Sequence, residues 1–283
     1  MRGKPVWVNG ALGGGIDPFD RGLLLGDGVF DTLVAFRGVS FAGGRHLERL
    51  TAHAAAIGIA LDPERVRAGW SAVLGAAAAE HSIVRTTVTR GVTGRGLWPA
   101  ASPAPTIVVS ATPWSADLVA RPMRLVVSSI RRNAESPASR LKAIGYLDNI
   151  LAAREAMEKG ADDALLLNQS THVVCTTIAN VFAVAGDKLV TPPVDDGVMA
   201  GIVRGLVLEK AAAAGLNSEE RSLNAADLFA ADHVFLTNSV RLLSPALSLD
   251  GRPLEARSEK TVATLRAAIA ARIDDECGFN PLR

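Results

Sequence analysis

The chain has 283 residues, of which 48% are apolar and 21% charged, a balance that suits a folded globular protein and speaks against disorder. Its 30 basic and 29 acidic residues leave a net charge of +1, which gives nucleic acid no electrostatic footprint and points to a small-molecule partner. Only two cysteines occur, Cys175 and Cys277, far apart and without CxxC spacing, so neither a disulfide framework nor a cysteine metal site is expected.

Met1 to Gly10 holds no apolar stretch of signal-peptide length, and the longest apolar runs are strand-sized. The expectation is a cytoplasmic protein that enters no membrane. Val6 to Asn9 alternates and turns at Gly10, and Phe30 to Phe36 has strand composition ending in a hairpin signal at Arg37-Gly38. From Arg45 the period changes to 3.6. Leu47, Leu50, Ala54 and Ile57 share a helical face, and Gly58 follows as a C-cap signal. Asp62-Pro63 predicts an N-cap with proline at N1, opening a helix to about Ala79. Strands are expected over Ile83 to Arg90 and Thr106 to Thr112.

Pro113 and Pro122 bracket turn chemistry, and a linker over 116–122 is expected between a small domain, 1–115, and a larger one, 123–283. The second half restarts with a strand over Met123 to Ile130 and a polar loop through Ser139. A helix over Leu147 to Lys159 is then stopped by Gly160. Strands are predicted at Asp163 to Asn168, Val173 to Thr176, Asn180 to Val184 and His233 to Thr237. Helices are predicted from Gly201 to about Ala214 and from Glu255 to Asp274. Strands at the middle of each half with helices outside them describe two α+β domains rather than a βαβ repeat.

The common catalytic fingerprints are missing: no GxGxxG follows a strand, and neither GxxxxGK[ST] nor GxSxG occurs. The five histidines, His46, His53, His81, His172 and His233, show no HExxH spacing, and no metal site is expected. Lys142 lies between a strand and a helix; alone it reads as an exposed surface lysine, or as an amine activated by desolvation and neighbouring cations such as Arg132 and Arg140. Arg49 is either a solvated helix residue or a guanidinium fork for phosphate. Gly201-Ile202-Val203 opens a helix whose free N–H groups suit an anion, though an ordinary helix start has the same form. Thr237-Asn238-Ser239 ends a strand with hydroxyls. Residue chemistry by itself reaches a two-domain α+β protein with candidate anion sites.

The run Asp20-Arg21-Gly22-Leu23-Leu24-Leu25-Gly26-Asp27-Gly28-Val29-Phe30-Asp31-Thr32 resembles the early signature of class IV aminotransferases, the fold-type IV enzymes that depend on pyridoxal 5'-phosphate. His46-Leu47-Glu48-Arg49-Leu50 is similar to the family's helix bearing the phosphate arginine. Thr89-Arg90-Gly91 with Gly94-Arg95-Gly96 is similar to a loop near the substrate, and Ala179-Asn180-Val181-Phe182 to the strand after the cofactor-ring site. These matches keep their order from about residue 6 to about residue 245. The resemblance implies a D-amino-acid aminotransferase-like α+β fold of two domains with the cofactor in the cleft between them, usually as a homodimer.

It also implies roles. Lys142 would hold the cofactor as a Schiff base and move the substrate proton. Arg49, Gly201, Ile202, Val203 and Ser239 would hold the phosphate, and Asn180 and Cys175 would also bind the cofactor. Phe30 would line the substrate side, and Arg95 or Arg241 would receive a substrate carboxylate; both arginines read equally well as solvated. Family members often carry threonine at the position of Val203, which shifts the expected phosphate contacts toward backbone N–H groups and Ser239.

One departure matters more. Where the family places a glutamate against the pyridine nitrogen, this sequence has Cys175, and no acidic residue lies between Asn168 and Gly186. A thiol of ordinary acidity is mostly neutral at pH 7 and offers only a weak hydrogen bond. Losing the charge-assisted contact is expected to cost about 1.5–3 kcal/mol. Three activities fit the resemblance: branched-chain aminotransferase, D-amino-acid aminotransferase and aminodeoxychorismate lyase. An aminotransferase using a small amino donor and a 2-oxo acid ranks first, the lyase next, and a non-catalytic cofactor-binding protein is the contrasting reading that Cys175 raises.

Overall fold

The computed structural model describes residues 4–94, 96–98 and 104–283. It divides into two compact units. One holds the described residues of Met1–Ser115 together with Leu141–Gly145 and Glu276–Phe279; the other holds Ala116–Arg140, Tyr146–Asp275 and Asn280–Arg283.

The first unit contains β1 (Val6–Val8), β2 (Ala11–Leu12), α1 (Arg21–Leu25), β3 (Gly28–Phe36), β4 (Val39–Ser40), α2 (Gly43–Ala56), α3 (Pro63–Ala76), β5 (His81–Thr89) and β6 (Thr106–Pro113). Its sheet runs β2-β1-β6-β5-β3-β4, with every pairing antiparallel. The β3–β4 hairpin turns at Arg37 and Gly38, both at positive φ, as a tight hairpin requires. Asp62 caps α3 by accepting from Glu64 N, with Pro63 at the helix start, as its sequence predicts.

Strand alternation decides which side of this sheet is covered. Val29 and Leu33 of β3, Val84 and Val88 of β5, and Ile107 and Val109 of β6 pack with Leu47 and Leu50 of α2 and Val66, Trp70 and Val73 of α3. The other face carries Phe30, Thr32, Arg85 and Thr87, which the register places together. Ala143 bridges to Val29, so the Leu141–Gly145 segment lies along the start of β3, although sequence reading assigned it to the second domain. The pairing is long-range and leaves no local signature.

The second unit contains β7 (Met123–Arg132), α4 (Pro137–Arg140), α5 (Leu147–Glu158), β8 (Asp163–Asn168), β9 (Val173–Thr176), β10 (Asn180–Ala185), β11 (Lys188–Thr191), α6 (Ile202–Lys210), β12 (Asn217–Glu220), α7 (Ala225–Ala230), β13 (His233–Asn238), β14 (Leu242–Leu249), β15 (Arg252–Pro253) and most of α8 (Glu259–Cys277). Its strands run β12-β11-β10-β13-β14-β7-β8-β9, and β9 returns to pair with β10 through Cys175 and Asn180. Six strands therefore close on themselves.

Two helices depart from their predicted limits. The helix expected to reach Ala214 ends at Lys210, and a 3-10 turn over Ala212–Ala214 follows, closed by Gly215 at φ 76°. Ala212 and Ala213 are exposed and bury nothing that would hold another α-turn. The last helix begins at Glu259 rather than Glu255, because Ala256 is taken into a bridge with His233.

The interior of the second unit includes Phe182 and Phe235, which oppose each other in β10 and β13 and stack with centroids 5.1 Å apart. Both are fully buried. Phe182→Ala is expected to destabilise the protein by about 3–5 kcal/mol, read as a lower urea midpoint at unchanged slope.

Candidate active site

In the first unit, Lys142 sits in a turn, with no helix or strand of its own to fix it. Three hydrogen bonds do so instead. Phe30 N donates to Lys142 O (2.8 Å), Ile144 N donates to Gly28 O (3.1 Å), and Lys142 N donates to His53 Nδ1 (3.1 Å). Lys142 Nζ lies 4.4 Å from the centroid of the Phe30 ring, and Arg85 Cζ lies 3.7 Å from it. An amine and a guanidinium thus share one buried aromatic ring, each in cation–π range.

On the covered face of the same sheet, Asp31 is buried in the middle of β3. His46 Nδ1 hydrogen-bonds its Oδ1 (2.6 Å), and Arg49 donates to its Oδ2 from Nε (2.9 Å) and Nη2 (2.7 Å). Burial alone would raise the Asp31 carboxyl, but the charge of Arg49 and the hydrogen bond and charge of His46 outweigh it and hold the group below the usual carboxylate range. Arg49, expected either to be solvated or to bind phosphate, is therefore mostly buried and fixed by a charge-assisted fork. His53 follows one helical turn later.

In the second unit, the register places Cys175, Asn180 and Thr237 on one rung across β9, β10 and β13, with their side chains on the same face. Asn180 Nδ2 donates to Met199 O (2.9 Å). A Cβ built on Gly201 would lie 2.1 Å from Asn180 Oδ1, so only glycine lets the chain pass this side chain into α6. Gly201 is the N-cap of α6 and makes no side-chain cap hydrogen bond. Ile202 and Val203 open the helix, with Val203 buried. Ser239 lies in the turn after β13, which Asn238 Oδ1 shapes by accepting from Val240 N and Arg241 N.

Cys175 is half-buried and packs beside Val126, Ala152, Ala156, Ala164 and Leu166. The turn from it to Asn180 is rigid: Asp163 accepts from the backbone and hydroxyl of Thr177, and Asn149 Nδ2 donates to Thr177 O. Arg241 donates to Met123 Sδ (3.1 Å) and lines, with Asp163, Asn238 and Ser244, a cavity of about 10 Å³. Arg132 donates to Ser139 O, and Arg140 lies 3.8 Å from Asp195. Arg95 lies outside the described residues.

Sequence reasoning missed Asp31, His53 and Arg85. A signal existed for the first two: one carboxylate interrupts an apolar strand, and His46, Arg49 and His53 recur along one helical face. Arg85 gave none, since an arginine in a strand usually marks the solvent side.

The donors present suit a phosphate-bearing pyridoxal group. An uncapped helix start at Gly201 leaves its first N–H groups for an anion, and the hydroxyl of Thr237, opposite Asn180, is buried without a hydrogen-bond partner. A lysine held by its backbone and an arginine locked in its fork suit the amine and phosphate functions. Cys175, on the Asn180 rung, is the exception, because a thiol supplies no fixed negative charge for a pyridinium ring.

The family described as amino-transferase class IV matches residues 28–249. A Methanocaldococcus jannaschii protein assigned as a branched-chain-amino-acid aminotransferase is 35% identical, over 84% of this chain and 83% of its own length. An aminodeoxychorismate lyase from Vibrio harveyi is 28% identical over 84% of this chain and 89% of its own. The crystal structure of a Thermoproteus uzoniensis branched-chain aminotransferase with norvaline superposes with a TM-score of 0.87 at 27% identity, covering 98% of each chain.

Gly201→Ala is expected to displace Asn180 and weaken retention of a phosphate-bearing cofactor by about tenfold or more, the effect of losing roughly 1.4 kcal/mol of contacts. Equilibrium dialysis of the variant against the parent chain checks it.

Proposed function

This chain belongs to the class IV aminotransferases, pyridoxal-phosphate-dependent enzymes of fold type IV, and from that membership we propose that it moves an amino group between a small amino acid or amine and a 2-oxo acid with Lys142 as its catalytic residue. The observation that carries this reading is the Lys142 amine over a buried aromatic ring, its backbone fastened at both N–H and C=O.

When bound, the cofactor supplies a ring that withdraws electrons from the substrate's Cα. The chain's residues supply the rest. Lys142 Nζ would hold the cofactor covalently and, as general base and then general acid, would move a proton from the substrate's Cα to the cofactor's C4′. Arg49, Gly201, Ile202, Val203 and Ser239 hold the phosphate, Arg49 through a guanidinium that Asp31 keeps from turning. Asn180 fixes the approach to α6. Phe30 lines the substrate side, and Arg85, stacked on the same ring as the amine, is a candidate to receive a substrate carboxylate, as Arg95 is from the sequence. Arg241, the other candidate named from sequence, donates to Met123 Sδ.

Cys175 stands at the pyridine-nitrogen position in this reading. Without a carboxylate there, the chain would supply no fixed charge to favour a protonated ring, and Lys142 would remove the Cα proton more slowly. Cys175→Glu is expected to raise the rate of the half-reaction by about ten- to a hundredfold. Equal rates in the variant and the parent would sink the ring-charge argument.

The primary test records the visible absorbance of the holoprotein before and after borohydride, then locates the reduced adduct by peptide mass. An adduct on Lys142 and a half-reaction with an amino donor support the proposal. The lyase reading, favoured by the Vibrio harveyi relative, predicts pyruvate release from aminodeoxychorismate instead. An adduct without turnover of any amine would point to a protein that binds the cofactor and does no chemistry.

A homodimer forms part of the proposal. Leu23, Leu24 and Leu25 of the short α1 are all exposed, and Arg21 donates to the carbonyls of Gly96 and Leu97, in a loop where Leu97 and Trp98 are 81% and 92% exposed. A second copy of this chain would cover such a patch. Leu24→Asp is expected to shift the mass measured by light scattering from two chains to one; an unchanged mass would remove this face from the interface.

A further inference from the structure

We propose that His53 is a positioning residue for Lys142: its Nδ1 accepts the lysine's backbone N–H and holds the turn from which the amine projects. The inference rests on Lys142 being the cofactor lysine and goes beyond it, because it concerns how an amine in an irregular segment keeps its place through a cycle of attachment and release.

Lys142 has neither the i to i−4 bond of a helix nor a strand of its own. Its C=O is taken by Phe30 N, which fastens one side of the residue to β3. Its N–H goes to a side chain 89 residues earlier, near the end of α2, at 3.1 Å. Removing that acceptor takes away the fastening on the N-terminal side of Lys142, while the Phe30 and Ile144 bonds still hold the C-terminal side. Because a misplacement of about 1 Å can cost about a hundredfold in rate, a fastened N–H matters more to the amine than to the fold.

Accepting at Nδ1 requires a neutral imidazole with its proton on Nε2; a protonated ring would turn a donor toward a donor. The surroundings enforce this state. Burial first, then the positive charge of Arg49, lower the His53 pKa to about 4; Asp31 opposes them, and Lys142 adds to the lowering. The folded protein thus withholds a proton that the unfolded chain binds between pH 6.5 and about 4. The stability linked to His53 is complete above about 6.5 and declines as the pH falls toward 4.

His53 is moreover set by the same network that fixes Arg49. Both lie on α2 one turn apart, and Asp31 ties that helix to β3 through His46 and Arg49. The helix that would orient the phosphate arginine also sets the backbone of the reactive amine.

The test compares the full-length holoenzyme with His53→Leu and His53→Asn. Leucine fills the volume without an acceptor, whereas asparagine presents Oδ1 close to where Nδ1 lies. His53→Leu is expected to speed hydrogen exchange at the Lys142 amide about five- to tenfold, the loss of one neutral hydrogen bond, and to lower kcat with little change in KM. His53→Asn is expected to restore both. In the unmodified protein, nitrogen NMR is expected to show the Nε2–H tautomer of His53 with a titration midpoint near 4.

Unchanged exchange and unchanged kcat in His53→Leu, with the borohydride adduct still on Lys142, would overturn the proposal. An Nδ1–H tautomer in the unmodified protein would overturn it as well, without recourse to any variant. An adduct on a different lysine would overturn the assignment of the cofactor residue, and the role of His53 with it, even where amide exchange still followed His53.

Discussion

A carboxylate buried in a β-strand must be neutralised or the strand is unstable, and Asp31 imposes that condition on the first unit. His46 and Arg49 meet it from a single helix, three residues apart, so both bonds form only at one rotation of α2 about its axis. That rotation places Leu47 and Leu50 in the core and His53 against the Lys142 turn. Apolar packing alone tolerates some sliding of a helix over a sheet. Three fixed charge-assisted bonds do not, and the site inherits that accuracy.

Local patterns made much of the fold legible. The 3.6 period of Leu47, Leu50 and Ala54, the Asp62-Pro63 start and the hairpin at Arg37-Gly38 are each fixed by residues close in sequence. β14 carries no clear strand signal because Pro245 falls within it; there the proline faces Phe235 in the register shared by Ser244, Leu243 and Leu242. α1 has only five residues, too few to show a period.

The candidate site was legible in its individual residues and not in their company. Lys142, Arg49 and Gly201 stand out by residue type, and they join Cys175 and Asn180 only through family resemblance, which reads order along the chain. The contacts that give them meaning join residues far apart in sequence: Phe30 with Lys142, His53 with Lys142, Asn180 with Gly201. Arg49 shows the difference well. Its partner Asp31 stands 18 residues earlier in an apolar strand, and only the fold reveals that the guanidinium is held rather than solvated.

The closure of β9 onto β10 has a bearing on how this family can change. Cys175 takes part in that seam through its backbone pairing with Asn180, so the seam does not depend on which side chain position 175 carries. Asp163 and Asn149 hold the following turn from outside it. In the proposed reading, a charged side chain at this position would change the electrical environment of the site while the backbone seam stayed in place. The backbone therefore leaves the choice at position 175 to its surroundings: a carboxylate placed in this half-buried, apolar spot must find a partner, such as the pyridinium of a bound cofactor, to offset its desolvation.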